Sequence, residues 1–246
     1  MSAINQQVQQ TMLDTERTPA DLDRWWSSID QVQQSVTQCV IEPGHLDPLS
    51  ENDAKIKRWT DLTLAVFGLL LLLPLLLLIA LVIKLDTPGP VLFRQTRRGL
   101  NGEMFRVFKF RSMSHSVPTE FKQATRHDTR VTTVGRFIRR TSLDELPQLL
   151  NVIQGDMSLV GPRPHPLKLD DQFKWVVPEL VSRYAVKPGI TGWAQINGSR
   201  GQTQKRSDMI NRIQYDREYI SNWSLLLDLR ILLETLFKGW VHKNAY

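Results

Sequence analysis

Leu62 to Ile83 reads LTLAVFGLLLLLPLLLLIALVI, 22 residues with no charge and a single hydroxyl, Thr63. A helix needs roughly 20 apolar residues to match a hydrocarbon layer, and a helix apolar on every face needs lipid or a very large core. The chain has 246 residues, 23% of them charged, and its mean hydropathy is −0.25. The remainder is therefore polar, and the sequence reads as one membrane segment bearing a polar domain.

The flanks of this segment bear on how it sits. Lys55, Lys57 and Arg58 precede it, and Lys84, Arg94, Arg97 and Arg98 follow. Cations mark the cytoplasmic side, and here both ends carry them. Pro74 falls mid-segment, where it removes a backbone hydrogen bond. A re-entrant hairpin that enters and leaves by one face satisfies both observations, with Trp59 at the interfacial level. A kinked, fully spanning helix is the alternative.

The polar part looks built for phosphate. The net charge of +6 suits phosphate-bearing partners or an anionic membrane surface. After the turn Pro88-Gly89-Pro90, VLFRQ and MFRVFKF alternate as two strands joined by GLNGE, a β-hairpin pattern. It would project Gln95, Arg97, Arg98, Lys109 and Arg111, with Lys109 and Arg111 sharing a face with Val107. VGRFIRR then reads as a helix. In RRTSLDELPQLLNVIQGDMSLVGPRP, Ser142 and Glu145 match a capping box. Pro147 suits a first turn, Leu146, Leu149, Leu150 and Ile153 point inward, and Gly155 stops the helix. The helix dipole would keep Asp144 and Glu145 ionised. Their roughly 100° divergence prevents proton sharing, so separate tasks follow: one nucleophile toward phosphorus, one Mg²⁺ ligand. Arg139, Arg140 and Arg163 would supply bidentate forks, Arg163 held stiffly between Pro162 and Pro164.

IKLDTPGPVLFRQTRRGLNGEMFRVFKFRSM, RRTSLDELPQLLNVIQGDMSLVGPRP and KPGITGWAQINGSRG, in this order, closely resemble the bacterial polyprenyl-phosphate sugar-1-phosphate transferases, the monotopic phosphoglycosyl transferases. The resemblance runs from about Lys55 to the C-terminus. It implies an α+β, predominantly helical, monotopic membrane enzyme, with a re-entrant helix broken at Pro74 and a small β-hairpin in a cytosolic catalytic domain. Residues 1–50 would be a polar tail, 51–90 the membrane helix and turn, and 91–246 the transferase domain. The short form, without four extra N-terminal membrane helices, is expected. The implied catalytic pair is Asp144-Glu145, with phosphate-binding Lys109, Arg111, Arg139 and Arg163, and Mg²⁺ on Glu145. The implied reaction passes a hexose-1-phosphate from a UDP-sugar, UDP-glucose or UDP-galactose first, to undecaprenyl phosphate through a phosphosugar-Asp144 ester. UMP is released at the cytoplasmic face of the bacterial inner membrane, initiating exopolysaccharide, capsule or O-antigen assembly. Membrane lipids are expected partners, and a homodimer is compatible.

Other stretches read less specifically. Lys187–Gly201 is either a structural turn, a loop over nucleotide or sugar, or a surface for dimerisation. Leu225, Leu229, Leu232, Leu233 and Leu236 form a stripe that would lie on the membrane or on the core. Trp25 and Trp26 sit in a polar tail as potential interfacial anchors. The five histidines, His115, His127 and His165 among them, lack metal-ligand spacing and read as solvated. Cys39 is the lone cysteine, so no intrachain disulfide forms. A nucleic-acid binder would interleave aromatic platforms with its cations, which this chain does not. The main rival is a non-catalytic, membrane-anchored binder of nucleotide or anionic lipid.

Overall fold

The apolar segment lies within one 36-residue helix, α1 (Glu51–Asp86), which runs continuously through Pro74. The computed structural model describes residues 49–114, 128–175, 177–199, 201, 203 and 205–238. The tail with Trp25, Trp26 and Cys39 falls outside these residues, as do His115, His127 and most of the polar stretch between Ser114 and Arg130. Ser50 caps α1, its hydroxyl accepting from Asp53 N at 3.2 Å, and Glu51 and Asp53 complement the positive end of the dipole. At about 1.5 Å per residue α1 spans about 54 Å, more than a hydrocarbon layer of about 30 Å.

α1 is not an appendage. Phe67, Leu70, Leu71, Leu77, Leu78, Leu81 and Leu85 are each more than half exposed, whereas Ala65, Ile79 and Ile83 are buried. Its first turns are held by the polar domain: Lys57 Nζ donates to Asp228 at 2.6 Å, and Asp61 accepts from Leu159 N at 3.0 Å. Its far end packs Leu76, Ile79 and Ile83 against Phe110 and Ile138. Tyr219 and Trp223 also donate to Asp228, at 2.7 and 3.1 Å. Removing one partner of a buried pair strands the other charge. Lys57→Met is therefore expected to destabilise by about 3–5 kcal/mol, with Lys57→Met/Asp228→Leu recovering most of the loss. Thermal unfolding in detergent measures this, and an unchanged midpoint in the single variant would contradict it.

The hairpin forms as the alternation requires. β1 (Leu92–Arg98) pairs antiparallel with β2 (Met104–Phe110), Gln95 opposite Val107. α2 (Thr133–Arg140) matches VGRFIRR and is capped by Thr132, whose hydroxyl accepts from Gly135 N at 2.9 Å. The next stretch departs from expectation. Ser142 adopts φ 59° with no side-chain cap, and Leu143–Glu145 forms a separate 3-10 turn. Helix α3 then runs only over Gln148–Gln154, ending at Gly155 with φ 97°. No capping box forms, because the Glu145 carboxylate is taken by distant cations.

Asn151 fixes α3 on the hairpin. Fully buried, it accepts from Phe108 N at 2.9 Å and donates to Arg106 O at 2.8 Å, so its amide pairs with the edge of β2 like a neighbouring strand. Arg58 of α1 caps the other end of α3 through the carbonyls of Val152 and Ile153, at 2.5 and 2.9 Å. Behind them, β3 (Ser158–Val160) pairs in parallel with β4 (Gly189–Thr191). A Cβ at Gly189 would run into the Gly161 backbone, so Lys187–Gly201 serves a structural role at this end. α4 (Leu167–Phe173), a 3-10 run (Pro178–Ala185), α5 (Trp193–Ile196), α6 (Arg206–Ser221) and α7 (Leu225–Lys238) complete the described elements. On α7, Asp228 and Ile231 are buried, while Leu226, Leu229, Leu233, Leu236 and Phe237 are exposed. The helix packs on the core by one face, as one of the two sequence readings expected, and presents an apolar second face.

Candidate active site

Two cations from distant segments converge on one carboxylate. Glu145, at the end of the 3-10 turn, accepts from Lys109 Nζ of β2 at 2.8 Å. Arg163 grips the same group as a fork, its Nη1 donating to Oε2 at 2.9 Å and its Nη2 to Oε1. Burial raises the Glu145 pKa, but the Arg163 and Lys109 charges, with hydrogen bonds from both, hold it well below the ordinary carboxylate range. Glu145 is thus a fixed anion locking two cations in place.

Asp144 has the opposite environment. Its side chain makes no hydrogen bond among the described residues, and it is half-buried. Burial and the neighbouring Glu145 charge push its pKa up to about 6, partly offset by Lys109, Arg139 and Arg163. It is ionised at neutral pH but without strong partners, the state expected of a nucleophile. Arg139, in the last turn of α2, is near enough for its charge to act on Asp144 and holds no ion pair among the described residues.

The turn carrying Arg163 is over-determined. Three successive carbonyls are each gripped: Pro162 O by Gly189 N at 3.0 Å, Arg163 O by Arg183 Nη2 at 2.6 Å, and Pro164 O by Arg97 Nη1 at 2.8 Å. Such a turn holds its guanidinium in one place before any ligand arrives. The sequence reading captured the two prolines, placed Arg97 only among the cations projecting from the hairpin, and missed Arg183.

His165 follows directly and corrects another expectation, since it is buried rather than solvated. Its Nδ1 lies 3.1 Å from Asp170 Oδ1, and its Nε2 lies 3.0 and 3.1 Å from Arg183 and Arg212. A proton on Nδ1 donates to Asp170 and leaves Nε2 to accept from Arg212, while Arg183 Nη1 also lies 2.6 Å from Nδ1. Burial, then the Arg183 and Arg212 charges, drives the His165 pKa well below its ordinary value. It is a neutral spacer between cations.

A family model described as bacterial sugar transferase matches residues 52–242. The chain belongs to the bacterial sugar transferase family. It is 50% identical over 210 residues to an Escherichia coli K12 relative named UDP-glucose:undecaprenyl-phosphate glucose-1-phosphate transferase, covering 84% of this chain and 45% of that one. A Caulobacter vibrioides relative of the same name is 50% identical over 207 residues, covering 84% and 77%. An Aeromonas hydrophila relative, named UDP-N-acetylgalactosamine-undecaprenyl-phosphate N-acetylgalactosaminephosphotransferase, is 41% identical over 219 residues, covering 85% and 50%. The chain thus spans about half the length of several curated relatives it matches.

Of the residues expected at the site of this sugar transferase, Lys109, Asp144, Glu145 and Arg163 come together and Arg139 stands beside them. Arg111 does not join them. Its Nη2 donates to Thr87 O at 2.6 Å, Thr87 Oγ1 at 2.9 Å and Ile83 O at 3.3 Å. It satisfies orphan carbonyls at the end of α1, fastening that helix to the hairpin rather than binding phosphate. Mg²⁺ on Glu145 also fits poorly. Both carboxylate oxygens already accept from cations, and no group of three or more His, Cys, Asp or Glu suited to a metal occurs among the described residues.

Proposed function

We propose that this bacterial sugar transferase moves a hexose-1-phosphate from a UDP-sugar to undecaprenyl phosphate. An Asp144 oxygen attacks the β-phosphorus, the bond to the bridging oxygen breaks, and UMP leaves with that oxygen. A phosphate oxygen of the lipid then attacks the same phosphorus, Asp144 departs, and the polyprenyl-diphosphate sugar forms. Arg163, Lys109 and Arg139 would stabilise charge on the phosphoryl oxygens. The observation that carries this reading is the split pair: a free Asp144 poised near pH 6 beside a Glu145 locked by two cations. No step is assigned to a metal; Mg²⁺ enters only as an ion brought by the donor's diphosphate, which suits its preference for few protein carboxylates.

The names of the relatives support UDP-glucose as the first donor to try. Full-length protein in nanodiscs, given UDP-glucose or other UDP-hexoses with undecaprenyl phosphate, is expected to release UMP. Without acceptor it should stop after one equivalent and carry a phosphohexose on Asp144. Failure to release UMP from any UDP-sugar would favour the non-catalytic binder.

Geometry also supports a monotopic placement at the cytoplasmic face of the inner membrane. Both ends of α1 are fastened to the same polar domain, by Lys57 and Asp61 at one and Arg111 at the other, so α1 cannot leave that domain on opposite sides of a bilayer. The exposed face of α1 and the second face of α7 would enter one leaflet, α1 bending at Pro74 into the re-entrant form. Cysteines placed near Ser50 and after Thr87 are expected to label only from the cytoplasmic side, and periplasmic labelling of either would refute this placement.

A further inference from the structure

The chemistry above uses only Arg139 of α2, yet the whole helix is fastened to the lipid-facing part of the molecule. Ile138 is buried against Leu76, Ile79 and Ile83 of α1, with Val134 beside it. A Cβ at Gly135 would run into the Ser112 carbonyl oxygen, so α2 is pressed inward along that face. The same turns of α1 direct Leu77, Leu78, Leu81 and Leu85 outward. Packed helices lie about 8–10 Å apart. The outer face of α2 therefore stands within one helix width of the surface that α1 offers to lipid.

That outer face is basic and lacks counter-charges. Arg136 and Arg140, one turn apart, are both exposed, and Phe137 next to Arg136 is 54% exposed. Val131–Leu143 contains no acidic residue. Surface cations elsewhere find carboxylates: Lys55 pairs with Glu51 at 2.6 Å, Lys174 with Asp171 at 3.2 Å and Arg230 with Glu234 at 2.8 Å. Arg136 and Arg140 make no ion pair or side-chain hydrogen bond among the described residues, Asp86 at the end of α1 included. Like charges at i, i+4 oppose a helix. The helix dipole favours Arg139 and Arg140, which lie in the last turn, but does nothing for Arg136.

An occupant of this face must bring negative charge and also take in an aromatic ring. We infer that the outer face of α2 docks on the head groups of acidic phospholipids in the leaflet that holds α1. Their phosphates match the two guanidinium forks, and Phe137 enters at the boundary between head groups and acyl chains. Each arginine beside an anionic leaflet strengthens the attraction about fivefold. A second copy of the chain would set arginine against arginine. An acidic protein would meet the charges but not the continuity with the outward leucines of α1. This inference rests on the membrane placement proposed above.

The test is thermal unfolding of full-length protein in nanodiscs of phosphatidylcholine alone and of phosphatidylcholine with phosphatidylglycerol. Whatever binds only the folded state raises Tm, so the acidic discs should raise that of the wild type, and added salt should erase the gain. These discs hold no undecaprenyl phosphate, so the acceptor cannot supply it. Arg136→Gln/Arg140→Gln should lose most of the gain while keeping the wild-type Tm in neutral discs. Arg136→Lys/Arg140→Lys, which preserves the charge, should retain it. No gain in the wild type, or an equal gain in the glutamine pair, overturns the inference. A gain from polyglutamate in neutral discs, with none from phosphatidylglycerol, assigns the face to an acidic protein instead. In either case, cytoplasmic-only labelling of cysteines near Ser50 and after Thr87 leaves the membrane placement standing, whereas periplasmic labelling removes both.

Discussion

Asp144→Asn is expected to abolish UMP release, by roughly 10⁴-fold or more, as loss of a nucleophile does, while raising thermal stability at pH 8. The two effects share one cause. The folded protein holds the Asp144 proton up to about pH 6, whereas an unfolded aspartate releases it near 3.9. Between those values the folded state binds more protons, so stability falls as pH rises from about 4 to about 6 and stays reduced above. Asparagine has no charge to bury. Its stabilising effect should be full at pH 8 and fade toward pH 4, read from Tm in the same buffers. The wild-type kcat/KM should fall below about pH 6 as Asp144 takes up its proton. An Asp144→Asn protein that turns over normally, or whose Tm difference is the same at both pH values, would remove the nucleophile assignment.

The second large effect concerns Arg163. Arg163→Ala removes the fork on Glu145 and one of the cations that lower the Asp144 pKa. Activity should drop about 10²–10³-fold, the usual consequence of losing one charge-stabilising donor. The direction of the pH change is more diagnostic: without Arg163, the acidic limb of kcat/KM should move above 6. Glu145 acts the other way, since its charge raises Asp144, so Glu145→Gln should move the limb below 6. A limb that stays in place in both variants would mean that the titrating group is not Asp144.

Local pattern was enough for the membrane helix, the hairpin, the α2 helix and the stop at Gly155, because each depends on residues a few positions apart. It also named Asp144, Glu145, Lys109 and Arg163, which the fold brings together, with Arg139 beside them. It failed where distant partners compete with near ones. Ser142 and Glu145 have capping-box spacing, but Lys109 and Arg163, 36 and 18 residues away, offer charge-assisted bonds roughly twice as strong as neutral ones. Arg111 looks like its neighbour Lys109 in the alternation, yet its guanidinium meets the end of α1. His165, Arg183 and Arg212 carry no spacing signal, since they meet only through tertiary packing. The Pro-Arg-Pro turn was the one hint that Arg163 needed support, and a search for buried arginines elsewhere could have started there.

The fastening of α1 at both ends has a practical consequence. Lys57, Asp61, Ala65 and Ile83 are as deeply interior as residues of the catalytic domain, so the greasy helix doubles as scaffolding. Cutting it away to obtain a detergent-free enzyme would expose Leu159 and Phe110 and strand Asp228, leaving a fragment prone to clump. In this protein, adherence to the lipid and the ability to fold are written into the same turns of helix.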